Sequence, residues 1–173
     1  MVKRGSQLEP ILYGGGQQQG LRPGTLNVPG IVGLGEACRL RQLKMEEDEN
    51  AIASKRDHLQ TLLQAKIPNL VVNGDLESRL AGNLHISIPG IPSSAVIARV
   101  RHQLAISRGS ACSSGVEAAS HVLRAMNLPE EVMEGALRIG LGKFTTEEEI
   151  EQAAEILASA VHKISRLLEA DDG

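Results

Sequence analysis

Asn83-Leu84-His85-Ile86-Ser87-Ile88-Pro89-Gly90 decides the fold class. Apolar Leu84, Ile86 and Ile88 alternate with His85 and Ser87, which is the pattern of a strand with one buried face, and Pro89-Gly90 stops it. Downstream, Ser93-Ser94 stands where a helix cap belongs, ahead of Val96, Ile97 and Val100 at helical spacing. Leu104-Ala105-Ile106-Ser107 reads as a short strand, His121 to Met126 as a short helix, and Ala136 to Leu141 as another strand. Thr146-Glu147-Glu148-Glu149 is a capping box, after which Ile150, Ala153, Ala154, Leu157, Val161, Ile164 and Leu168 share one helical face. Acids lead this last helix while His162, Lys163 and Arg166 trail, which complements the helix dipole.

Upstream, Leu70-Val71-Val72-Asn73-Gly74-Asp75 reads as a strand and turn. Pro68 closes a run of helical character that begins at Pro29. The spacing predicts one long helix or two abutting ones, because an unbroken helix of roughly 35 residues is long for a globular domain. Cys38 falls in register with Ile31 and Leu34, which predicts a buried small residue on the apolar face. Residues 1–25 are glycine-rich and aperiodic. The chain thus divides into a glycine-rich segment (1–28), a connecting helix or helix pair (29–68) and a small α/β domain (69–173).

Composition removes several classes of function. With 173 residues, 42% hydrophobic and 23% charged, the chain is long enough for a core and too apolar to be disordered. A net charge of −3 with no dense basic block argues against nucleic-acid binding. No apolar run reaches the roughly 20 residues of a membrane span, and Met1-Val2-Lys3-Arg4 leads into no signal-peptide core. A cytoplasmic protein is therefore expected. Cys38 and Cys112 offer no disulfide framework, and no histidine pair has ligand spacing, so no metal is expected.

Few groups are left to carry chemistry. Cys112 lies between Gly109 and Gly115 among Ser and Ala, directly after a predicted strand, with Arg108 available to lower a thiol pKa. It reads as a reactive thiol or as a small buried residue at a strand end. The loop Gly14-Gly15-Gly16-Gln17 through Arg22-Pro23-Gly24-Thr25 could form an anion nest supplemented by Arg22 and Thr25, although Leu21-Arg22 stands where a P-loop needs Lys-Ser/Thr. Taken alone, it reads better as a flexible linker. Arg138, in a strand predicted to be buried, needs an anionic partner, either a structural carboxylate or that of a substrate. His85, His58 and His162 read as solvated, and neither His102 nor His121 has a spacing that compels a role.

Four stretches together resemble the pyridoxal-phosphate-dependent cysteine desulfurases that supply sulfur to iron–sulfur clusters and thiolated RNA. They are the glycine-rich loop, Ser107-Arg108-Gly109-Ser110-Ala111-Cys112, His121-Val122-Leu123-Arg124-Ala125, and Leu137-Arg138-Ile139-Gly140-Leu141-Gly142 with Phe144-Thr145. The resemblance implies the C-terminal small domain of the type I aminotransferase fold, with a long connecting helix and a stub of the large domain. It implies that Cys112 is the persulfide-forming nucleophile, that Arg138 binds the carboxylate of L-cysteine, and that Thr25 reaches the pyridoxal phosphate of a partner subunit. A homodimer or a complementary N-terminal half, and a sulfur acceptor or iron–sulfur scaffold protein, are the partners it implies. None of the six lysines, Lys3, Lys44, Lys55, Lys66, Lys143 and Lys163, stands in the family's His-Lys context, and Gln18-Gln19 replace its usual Glu-Arg. The chain alone is therefore expected to be inactive. A stand-alone persulfide carrier or a regulatory, non-catalytic module is the alternative.

Overall fold

In the computed structural model, which describes residues 3, 5–108 and 120–171, the alternation at 83–88 forms a strand, β2 (Asn83–Ser87). The other elements are a 3-10 turn (Gln17–Gly20), α1 (Val28–Lys66), β1 (Val71–Val72), α2 (Ser93–Val100), α3 (His121–Ala125), α4 (Glu130–Glu134), β3 (Ala136–Gly140) and α5 (Glu147–Asp171). The three strands form an antiparallel sheet in the order β1-β2-β3. Leu84 pairs with Ile139 and Ile86 with Leu137, so four buried side chains face one way. His85 pairs with Arg138 and Ser87 with Ala136 on the other side.

Helices supply the opposing layer. Arg56, Leu59 and Leu63, followed by Ile67, are buried at three- and four-residue intervals at the end of α1. Val96 and Val100 of α2, with Ile150, Ala154, Leu157, Val161 and Ile164 of α5, complete the core. The buried Arg56 guanidinium is satisfied by Asp57 (2.9 Å) and by the carbonyls of Leu80 (3.3 Å) and Ala81 (3.2 Å). The capping box of α5 forms in full: Glu149 N–H donates to Thr146 Oγ1 (3.2 Å), and Thr146 N–H donates to Glu149 Oε2 (2.8 Å). Glycines bracket the β2–β3 ladder. Leu141 N–H donates to Gly82 O (2.8 Å) and Ile88 N–H to Gly135 O (3.2 Å), and a Cβ at Gly135 would collide with the Ile88 carbonyl.

The connecting element, expected as one long helix or two abutting ones, is one helix of 39 residues. Other expectations are corrected. Segment 104–107 is not a strand: only Ser107 pairs, with Arg138, while Leu104 and Ile106 pack against the core. Ser93 does not cap α2. Pro92, with φ −61° and ψ 126°, takes that position, and the buried Ser93 hydroxyl accepts from Arg108 Nε (3.2 Å) instead. The helix α4 follows Pro129 and opens on two acids, a start signal missed in the sequence.

The chain separates into two compact units, Met1–Met45 and Glu46–Gly173. All the buried residues described above belong to the second. In the first, Ile31, Leu34 and Cys38 are exposed, contrary to the expectation of a buried stripe, because no layer within that unit faces them. Its loop is tied locally by Gly24 N–H donating to Gln17 Oε1 (3.0 Å), with Gln18 (φ 51°) and Gln19 (φ 59°) held in the left-handed region.

Candidate active site

Arg138 lies in the middle of β3, on the side of the sheet away from the core, and is exposed rather than buried as predicted. The alternation that buries Leu137 and Ile139 turns the residue between them outward. Its guanidinium makes no hydrogen bond or ion pair among the described residues. A structural carboxylate, one of the two partners expected from sequence, is therefore absent among the described residues. Arg138 N–H donates to Ser107 O (2.7 Å) and Ser107 N–H to Arg138 O (3.2 Å). Both polar groups of Arg138 thus point away from β2, which makes His85 opposite Arg138 a non-hydrogen-bonded pair, the kind whose side chains come closest.

His85 is half-buried and partnered, not solvated. Asn73 Nδ2 donates to its Nδ1 (3.0 Å) and to Ser87 Oγ (2.7 Å), so the imidazole proton resides on Nε2. Asn73 also donates its backbone N–H to His85 O (2.8 Å), which fixes the residue against β2. Burial, and then the Arg138 guanidinium opposite, hold the imidazole below the ordinary value of 6.5, so it is neutral at pH 7. Asn73 and His85 went unremarked as site residues in the sequence, because only the register of two distant strands brings them beside Arg138.

Of the other expected residues, Thr25 is exposed in the unit Met1–Met45, separated from the start of α1 by Leu26 and Asn27. Cys112 lies outside the described residues. Cys38 is exposed. His58, expected to be solvated, contacts Glu147 Oε2 through Nδ1 (2.9 Å). No group of three metal-ligating side chains gathers among the described residues, and no helix there is long and apolar enough to cross a membrane.

An open guanidinium beside a neutral imidazole, on the outward face of a sheet backed by helices, is an arrangement suited to recognising a small carboxylate. The chain belongs to the aminotransferase class-V family, whose model matches residues 2–153. It is 42% identical over 161 residues to the cysteine desulfurase IscS of Ehrlichia chaffeensis, covering 93% of this chain and 39% of that protein. It is 40% identical over 167 residues to a cysteine desulfurase of Nostoc sp. strain PCC 7120, covering 96% and 42%. Among solved structures it superposes on a NifS-like protein with TM-score 0.79 at 29% identity, over 93% of this chain and 41% of that one. The NifS-like protein from Rickettsia africae gives 0.76 at 30% identity, over 91% and 41%. The mixed helix-and-sheet architecture is thus that of NifS-like, aminotransferase-fold proteins. The chain spans about two fifths of the length of the curated relatives it matches.

This family depends on pyridoxal phosphate. Holding it covalently requires a lysine kept neutral by burial or by neighbouring cations. Lys55 instead donates to the carbonyls of Lys143 (3.3 Å) and Thr145 (2.5 Å), Lys66 pairs with Glu155 (2.6 Å), and Lys143 approaches Asp48 (4.0 Å). Lys3, Lys44 and Lys163 are exposed. Each described lysine is thus exposed or engaged with protein oxygens, and none is buried and open toward a site, so the described residues do not fit the anchorage of the cofactor.

Proposed function

We propose that the chain is the C-terminal part of a cysteine desulfurase, comprising the small domain (69–173), the connecting helix (29–68) and a stub of the large domain (1–28). The complete enzyme converts L-cysteine and its own thiol to L-alanine and an enzyme persulfide. In this reading Arg138 binds the carboxylate of L-cysteine, Cys112 receives the sulfur, and the Thr25 hydroxyl contacts the phosphate of pyridoxal phosphate held by a homodimer partner or an N-terminal half. The persulfide then passes to a sulfur acceptor or iron–sulfur scaffold protein in the cytoplasm.

The observation that carries the reading is the open Arg138 guanidinium on the outward face of the sheet, in a chain whose curated relatives are cysteine desulfurases. A guanidinium binds a carboxylate through two parallel hydrogen bonds, and here no described protein carboxylate occupies it. The division of labour is testable by reconstitution. The purified chain is expected to release no sulfide from L-cysteine with pyridoxal phosphate, and to gain that activity when an N-terminal half bearing the cofactor lysine is added. Sulfide from the chain alone would overturn the assignment. No activity with the other half would favour a persulfide carrier or regulatory module.

A further inference from the structure

The proposed function leaves Asn73, His85 and Ser87 unused, yet their geometry says more than packing. Asn73 Nδ2 spends its protons on His85 Nδ1 and Ser87 Oγ, while Oδ1 of the same amide is buried with no partner among the described residues. A primary amide is a donor at one end and an acceptor at the other, and a half-turn about Cβ–Cγ exchanges the two. After that turn Oδ1 accepts from a protonated His85 Nδ1 and from the Ser87 hydroxyl. Either orientation makes two hydrogen bonds with the same neighbours. The turn breaks no third bond, because Oδ1 has none to lose. One orientation suits imidazole and the other imidazolium.

The remaining question is what would charge His85. Directly opposite stands Arg138, and like charges at facing positions of a sheet are destabilising, so the empty pair keeps one charge only. Other charged groups are on the neighbouring elements. Beyond β1, Asp75 is exposed and accepts from the N–H groups of Glu77 and Ser78. The helix α4, which neighbours β2, carries exposed Glu130, Glu131 and Glu134. Arg108 donates to Ser93. Of these charges, Arg138 is the one that shifts His85. An anion on the guanidinium cancels that repulsion and brings a negative charge near the imidazole.

We propose that Asn73, His85 and Arg138 form a proton-coupled carboxylate site, in which a carboxylate settling on Arg138 brings a proton from solvent onto His85 Nδ1 and the Asn73 amide turns to receive it. This rests on the reading of Arg138 as a carboxylate ligand and adds a regulation to it. One proton is taken from the buffer per carboxylate bound, one N–H bond forms, and no electrons are exchanged. Carboxylate affinity therefore rises as pH falls through the imidazole range. Coupling is reciprocal, so the factor by which a proton tightens carboxylate binding is the factor by which the carboxylate raises the proton affinity of His85.

The test is side-chain nitrogen NMR on the 173-residue chain, titrated with sodium propionate against sodium chloride at equal ionic strength. Without propionate His85 should show the Nε2–H tautomer. Propionate should then move the Arg138 Nε–H signal, raise the apparent pKa of His85, and bind about five- to tenfold more tightly near pH 5.5 than near pH 7.5. If Arg138 responds while the titration of His85 stays unchanged, the coupling is wrong and Arg138 remains a carboxylate ligand. If Arg138 does not respond at either pH, both readings fall. A His85→Gln chain should keep the Arg138 response and lose its pH dependence. Persistent dependence in that variant would place the proton elsewhere and overturn the proposal.

Discussion

At the scale of single residues, Arg138 and His85 make opposite demands on the protein. The Arg138 side chain needs nothing from the described fold, being exposed and with no hydrogen bond or ion pair to its guanidinium among the described residues. Arg138→Lys should therefore leave the melting temperature of the chain unchanged. In the reconstituted enzyme it should weaken L-cysteine binding by roughly ten- to a hundredfold, since a point charge cannot replace a bidentate fork costing about 1.5–3 kcal/mol to lose. A large melting loss with normal affinity would show that Arg138 serves the fold instead. His85 does need the fold. Its folded pKa is depressed below the ordinary 6.5, so the unfolded chain binds more protons in mild acid. Stability is fully present above about pH 6.5 and is lost as pH falls through the depressed folded value. Melting curves across that range should show the loss in the native chain and a smaller one in His85→Asn. The alternation of 83–88 made the outward direction of His85 legible in the sequence. Its clamp was not legible, because Asn73 meets it only through the β1–β2 register, which no local pattern encodes.

Single elements show the same division between local and distant causes. The capping box of α5 could be read directly, since Thr146 and Glu149 satisfy each other within one turn. Thr146→Ala should cost about 1 kcal/mol by chemical denaturation, and a neutral result would mean that packing alone starts the helix. Segment 104–107 has strand composition, yet pairing requires a neighbour, and β3 offers it a partner only at Arg138. Ser93 has the residue type of a cap, but the fixed φ of Pro92 takes the cap position one residue earlier, which frees the serine for Arg108. Helix length was ambiguous for a related reason. Nothing in 28–66 interrupts the helix, although its apolar positions have different surroundings at the two ends.

At the scale of the whole molecule, the buried residues among those described all belong to the unit Glu46–Gly173. Leu63 is 0% exposed at the end of α1 whereas Ile31, in the same helix, is 53% exposed. Leu63→Ala should destabilise the chain by about 2–5 kcal/mol, and Ile31→Ser should change it by no more than about 0.5 kcal/mol. Equal losses from the two substitutions would mean that the unit Met1–Met45 is covered in solution. A sequence rich in apolar positions predicts a core but does not say which of its stripes finds a facing layer, and Cys38 was misjudged for that reason. The α/β class, the strands at 83–87 and 136–140 and the capped final helix were all legible because each is specified within about ten residues of chain.

The mutual backbone bonds of Ser107 and Arg138 have a consequence for isotope exchange. The two amide hydrogens close one small ring, so lifting the segment off the sheet exposes both at once. Exchange at Ser107 and at Arg138 should then proceed at a common rate, set by detachment of the 104–108 segment from the sheet. The Ile86 and Leu137 positions, inside the β2–β3 ladder, would exchange on a slower clock. The amide of the proposed carboxylate ligand thus becomes a gauge of how often the chain just ahead of residue 109 lets go.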